Sequence, residues 1–278
     1  MSFKDILVHV DNSVPSRARL DAAVTLAGRH GAHLTGLGVR IVPQVPGFIL
    51  SQLGSEVADA QRRHADHALD AARTLFETTV RQASIAAEWR DAEADATETF
   101  RLHARYADLV IVGQADPRDD APLGLEGLTD TLLLEAGRPV LVIPYVGTLP
   151  TIGQTVMIAW NGSREATRAV HDALPFLRDA KRVEVSVVNP HLGTSDEGDL
   201  PGADLCLHLA RHGIRATAHA LHAEDMDVGA MILSRAAEEG ADLLVMGAWG
   251  HSRLRQLILG GVTSHLLRHM TLPVLMSH

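Results

Sequence analysis

One cysteine, Cys206, occurs in 278 residues, so no disulfide can close within the chain and a reducing, cytoplasmic setting is expected. Aromatic residues make up only 4%, so a core must be assembled mainly from Ala, Val, Leu and Ile. No uninterrupted apolar stretch of about 18 residues occurs, which argues against a membrane span. Basic residues are outnumbered, with 25 Lys and Arg against 34 Asp and Glu, a net charge of −9. A chain without a basic block is poorly suited to general nucleic-acid binding or to anionic membranes, and neither partner is expected. The N-terminus runs from Met-Ser-Phe-Lys-Asp straight into a strand-like segment, without the apolar core of a signal peptide. A G-x-x-x-x-G-K-[ST] element is absent, which excludes a Walker-type NTPase, and no G-x-S-x-G elbow occurs.

What is present is a duplication. Asp108 to Gly113 reads DLVIVG, and Asp242 to Gly247 reads DLLVMG, 134 positions later. At the same offset Leu125 to Ile143 falls on Leu259 to Ser277, aligning Thr129 with Thr263 and Pro139 with Pro273. Upstream, Ile6 to Ser13 (ILVHVDNS) resembles Val156 to Ser163 (VMIAWNGS) at an offset of 150, so the second copy is about 16 residues shorter in its middle. A period this long indicates duplicated domains rather than a solenoid. The boundary is expected near Gly147 to Gly153, giving domains 1–148 and 149–278.

Within the first copy, apolar runs at Ile6–Val10, Leu34–Val42, Ile85–Trp89, Leu109–Val112 and Val140–Ile143 alternate with helical stretches at Pro15–His30 and Ser51–Gln82. Strands that are apolar throughout are expected where a parallel sheet is covered on both faces. Alternating strands and helices imply right-handed crossovers. The expected class is α/β: two tandem, five-stranded, parallel, doubly wound (Rossmann-like) domains.

The chemistry concentrates in Gly247 to Ser264, GAWGHSRLRQLILGGVTS. Gly247, Gly250 and Gly260 are spaced G-x2-G-x9-G after an apolar strand. Glycines there let backbone N–H groups approach a ligand. Gly260 and Gly261 precede Val262, Thr263 and a helical segment, whose start offers unpaired N–H donors and a positive dipole end suited to phosphate. In an open parallel sheet this corner, at the carboxyl ends of the strands, is where ligands bind.

This pattern resembles the universal stress protein family: the glycine spacing, the V-[ST] that follows, the closing strand LPVLM, and first strands ending VDNS and WNGS. The resemblance covers essentially the whole chain, as a tandem protein. It implies a stress-response role and, in the copy that keeps the glycines, bound ATP or another adenine nucleotide, with or without Mg²⁺. It also implies that the two halves pair with each other, and a homodimer is expected. Gly247, Gly250, Gly260 and Thr263 match the family's motif, while Gly261 replaces the usual Ser or Thr and Asn161 stands where an Asp is common. Asn161 can still hydrogen-bond ribose or base but brings no charge to a metal. Arg253 lies between the glycines, placed either to reach phosphate or to face solvent.

In the first copy Gly113 remains, but Asp116 and Glu126 stand in for the second and third glycines, and Asp119 and Asp120 add further charge. Carboxylates repel a triphosphate, so this copy is expected to be degenerate. It is expected to take something uncharged or cationic, or to serve only as a pairing partner. Asp11 keeps the first-strand acid. No general base or nucleophile can be assigned, so at most slow ATP hydrolysis is expected. The alternative is an interaction or dimerisation protein with both sites vestigial. An enzyme acting on an adenylated substrate ranks last, for want of an SGG-x-DS-like loop. The pairs His64/His67 and His265/His269 lack any metal-site signature and are expected to be solvated. Trp249 stacks on a base or packs on its own loop, and Phe48, Ile49 and Leu50 form an interaction surface or lid or are buried against the other half.

Overall fold

The computed structural model describes residues 2–41, 55–93, 96–117, 127–190, 201–223, 226–248 and 261–278. They form two compact units, Phe3–Ala136 and Gly137–His278, the latter joined by the two N-terminal residues.

The first unit runs β1 (Asp5–His9), α1 (Ser16–His30), β2 (His33–Val39), α2 (Ser55–Ala83), β3 (Ala87–Ala92), α3 (Ala96–Ala104), β4 (Leu109–Gly113) and α4 (Leu128–Glu135). Its strands lie in the order β3-β2-β1-β4, all parallel. The second unit contains β5 (Val140–Ile143), β6 (Thr155–Trp160), α5 (Arg164–Asp172), α6 (Leu174–Asp179), β7 (Arg182–Val188), α7 (Ala203–Arg211), β8 (Ala216–Leu221), α8 (Val228–Glu238), β9 (Leu243–Gly247), α9 (Gly261–His269) and β10 (Val274–Ser277). Here β10-β9-β6-β7-β8 form the expected five-stranded parallel sheet. The strand β5, read from sequence as the fifth of the first copy, pairs antiparallel with β10, Leu141 opposite Leu275.

The apolar strands behave as a doubly covered sheet requires. All four apolar residues of β4 and of β9 are buried, as is the whole of β5 and β10. Three of the few aromatics, Phe76, Phe100 and Phe176, are fully buried in the core. Two glycines of β2 make room for this. A Cβ at Gly36 would meet the Phe76 ring at 2.5 Å, and one at Gly38 would meet Trp89 at 2.5 Å.

The edge strands depart from the apolar rule. Strand β3 begins two residues later than Ile85 and continues past Trp89 through Arg90 and Asp91. Its pairing with β2 continues to Val39, and at a sheet edge polar side chains can face solvent while the ladder is maintained.

The aspartate opening each DLVIVG-type repeat has a structural task. Asp242 accepts backbone hydrogen bonds from Gly153, Gln154 and Thr155 at 2.9–3.1 Å, tying the start of β9 to the start of β6. Asp108 does the same in the first unit, accepting from Lys4 and Asp5 at 2.7 and 3.2 Å.

Candidate functional site

In the second unit the corner is built at the carboxyl ends of β6 and β9, which are adjacent and parallel. Beyond β6, the Asn161 carbonyl oxygen accepts from the Ser163 N–H at 3.1 Å, a local turn typical of Asx residues. Ser163 then caps α5, its hydroxyl accepting from the Ala166 N–H at 3.1 Å. The start of α5 lies directly over Gly247. A Cβ on Gly247 would come within 2.5 Å of the Ala166 nitrogen and 2.7 Å of the Glu165 carbonyl carbon. Gly247 is not among the residues with positive φ. What that position demands is smallness, because a helix backbone passes over it, rather than a left-handed conformation.

Helix α9 begins at Gly261, which is exposed and, among the described residues, has no atom within 4 Å of where its Cβ would sit. Val262 is half-buried and Thr263 is 2% exposed. In the first unit the repeat partner of Thr263, Thr129, donates its hydroxyl to the Gly113 carbonyl at 3.1 Å. A hydroxyl at that step of the helix can therefore tie helix to strand, a role that competes with phosphate contact. Trp249, Gly250, Arg253 and Gly260 lie outside the described residues, as do Phe48, Ile49, Leu50, Asp119, Asp120 and Glu126.

The first unit builds the same corner differently. Asp11 accepts at Oδ1 from the Ser13 N–H at 2.9 Å, repeating the turn made by Asn161. Its Oδ2 is held at 2.8 Å by the guanidinium of Arg19, a helix α1 residue 4% exposed. Arg19 also donates to the His9 carbonyl at 2.6 Å and to the Ser16 hydroxyl at 3.2 Å. Its Nη1 lies 2.3 Å from where a Gly113 Cβ would stand. Burial opposes ionisation of Asp11, but Arg19, then His9 and the two Ser13 donors, hold its carboxyl well below the usual carboxylate range. His9, buried against the edge of Phe100, is lowered to about 4, first by burial and then by Arg19, so it is neutral at pH 7.

The universal stress protein family model matches residues 153–278, the span that holds β6 to β10. A universal stress protein of Mycolicibacterium smegmatis is 27% identical over 97% of this chain and 95% of its own length. The span 153–278 thus matches the universal stress protein family, and a full-length relative of that name resembles the whole chain. A universal stress protein of Synechocystis is 28% identical over 172 residues, covering 60% of this chain; the chain spans just over half of that relative, 57% of its length. Among solved structures, a universal stress protein from Archaeoglobus fulgidus shares the fold with a TM-score of 0.71 at 18% identity, covering 98% of this chain and 95% of that one.

Within the matched span, β6 and β9 place Asn161 and Gly247 at adjacent strand ends, and Gly261, Val262 and Thr263 form the first turn of α9. Arg19 does not stand out in the sequence. Its only signal is the comparison of copies: at the 150-residue offset it falls on Ala169, which is fully buried in α5. The histidine expectation needs correction at His265. Its Nδ1 sits 3.2 Å from Asp227, the residue that caps α8, so it is a partly buried pairing residue rather than a solvated one. Among the described residues no group of three or more His, Cys, Asp or Glu could hold a metal, and no helix is long and apolar enough to cross a membrane. Cys206 is half-buried in α7, where burial pushes its thiol up, away from reactivity.

Proposed function

We propose that the second unit binds an adenine nucleotide, ATP foremost, at the carboxyl ends of β6 and β9, and that occupancy regulates the protein rather than feeding a reaction. The observation that carries this is the open start of α9. Among the described residues, nothing lies within 4 Å of the Gly261 Cβ position at the first turn of this helix, in the segment carrying the family's glycine spacing. A helix start presents N–H groups and a positive dipole end to an anion.

Asn161 lies at the neighbouring strand end with its carbonyl oxygen engaged by Ser163, which leaves its amide NH₂ to donate to ribose or base. Without charge at that position, Mg²⁺ would arrive on the phosphates and retain waters rather than rest on this side chain. Gly250, Gly260 and Arg253 complete the proposed set by their place in the motif. No residue is assigned as base or nucleophile. Cytoplasmic location and a homodimer of the whole chain belong to the same proposal.

Isothermal titration of the full chain with ATP and Mg²⁺ tests it. Saturable binding that disappears in Gly250→Asp is expected, because a carboxylate would then face the phosphates. Absence of heat at high micromolar ATP, with the protein folded, would instead favour a protein that acts only through partner surfaces.

A further inference from the structure

The first unit has a cleft that the nucleotide proposal does not use. Two adjoining cavities, of about 580 and 420 Å³, open at the carboxyl end of β1 and share His9, Asp11, Asn12 and His64. The larger falls within the span of small-molecule sites, about 300–1,000 Å³. We propose that this larger cleft, between the ends of β1 and β2 and the facing side of α2, binds a neutral, mainly apolar small molecule that offers one N–H or O–H donor and carries no phosphate.

Three features set that chemistry. The walls are aliphatic: Val10, Val39 and Ile41 from the strand side face Ala65, Leu69 and Ala72, which share one face of α2 at helical spacing. The small alanines leave room that larger side chains would fill. One turn before Ala65, Gln61 also lines the cleft, and its buried Oε1 has no hydrogen-bond partner among the described residues. Buried acceptors are nearly always satisfied, so a donor on the ligand answers this one. The third feature is charge. Among the described residues, the charged lining of the smaller, adjoining cavity is Asp11, Asp116, Asp130 and Arg19, the last already engaged with Asp11 and the His9 carbonyl. An anionic ligand would meet those carboxylates, and Arg19 fills the space beside Gly113. A neutral apolar molecule meets neither obstacle.

The probe is N-phenyl-1-naphthylamine, a neutral aromatic amine with one N–H, titrated by fluorescence into the full chain. Its sulfonated analogue, 1-anilinonaphthalene-8-sulfonate, has the same rings plus an anion. Saturable single-site binding of the amine is expected, with the sulfonate at least tenfold weaker. Ala68→Trp, which fills the cleft, should weaken the amine at least tenfold, and Gln61→Leu, which removes the acceptor while keeping an apolar wall, should weaken it several-fold. A saturating excess of ATP should leave the amine bound. The proposal is overturned by non-saturable binding, by equal affinity for amine and sulfonate, by displacement with ATP, or by wild-type affinity in Gln61→Leu and in a folded Ala68→Trp.

Discussion

The guanidinium of Arg19 occupies the space that a side chain at Gly113 would need, 2.3 Å from its Cβ position. The second copy carries Ala169 at the matching place, and there Gly247 is held small by the backbone of α5 instead. The same glycine of the repeat is thus kept for two unrelated steric reasons. Gly113→Ala should destabilise the first unit by displacing a buried ion-paired group. Arg19→Ala should cost about 2–4 kcal/mol by leaving Asp11 part-buried and without its cation. The double variant should cost less than the sum, because the vacated space accepts the new methyl. A double-mutant cycle by urea unfolding measures this, and additive losses would show that Arg19 and Gly113 do not share the space.

Gly247→Ala should be the harsher glycine change. Its methyl would meet helix backbone, at Ala166 and Glu165, which cannot swing aside as a side chain can. Overpacking of this kind costs about 1–3 kcal/mol. Since the displaced turn carries Asn161 and Ser163, ATP affinity should fall together with stability. Urea unfolding and titration on the same variant check both, and unchanged stability would contradict the packing assigned to Gly247.

Acid should weaken the first unit before ordinary carboxylates titrate. The folded state holds His9 at about 4, against 6.5 for a histidine in water. Below pH 6.5 the unfolded chain takes up a proton that the folded chain refuses, so stability falls with pH until about pH 4 and the loss then levels off. The linkage is worth up to about 3 kcal/mol across that window. His103, lowered by partial burial and then by Arg90, adds to the same trend. Asp11 is held low, so its contribution persists through this window and is lost only at more acid pH. Unfolding measured from about pH 7 to pH 4 should show a smaller slope in His9→Gln than in the wild type.

Gly261→Ser should tighten ATP binding. The position is exposed, with open space around its Cβ among the described residues, so the change carries no packing cost against them. It restores the hydroxyl the family usually has, and one added hydrogen bond is worth about 1 kcal/mol, or roughly fivefold in affinity. Titration of wild type and variant side by side decides it, and equal affinities would mean that the hydroxyl does not reach phosphate.

Much of the architecture is legible in the sequence because duplication doubles every signal. The repeated DLVIVG and DLLVMG segments form the buried strands β4 and β9, and their aspartates form the ties to β1 and β6. The parallel order of β6 to β10 follows from alternating apolar runs and helices. The strand β3 lies a few residues from its expected place because an edge strand tolerates Arg90 and Asp91, which apolar patterning penalises. The pairing of β5 is hidden because a wholly apolar run says nothing about direction or neighbour. Arg19 escapes notice for a different reason. A helix arginine reads as solvated unless its guanidinium is known to turn inward, and only the aligned Ala169 marks the difference.

The antiparallel pairing of β5 with β10 bears on how the gene can be divided. A fragment started at the repeat boundary, near residue 149, would retain every residue of the glycine motif yet lose β5. It would bare the ladder groups of β10, and an unprotected strand edge recruits whatever strand it meets, including another copy of itself. Soluble monomeric expression of the second half is therefore expected to require a start at or before residue 137, where the compact unit itself begins.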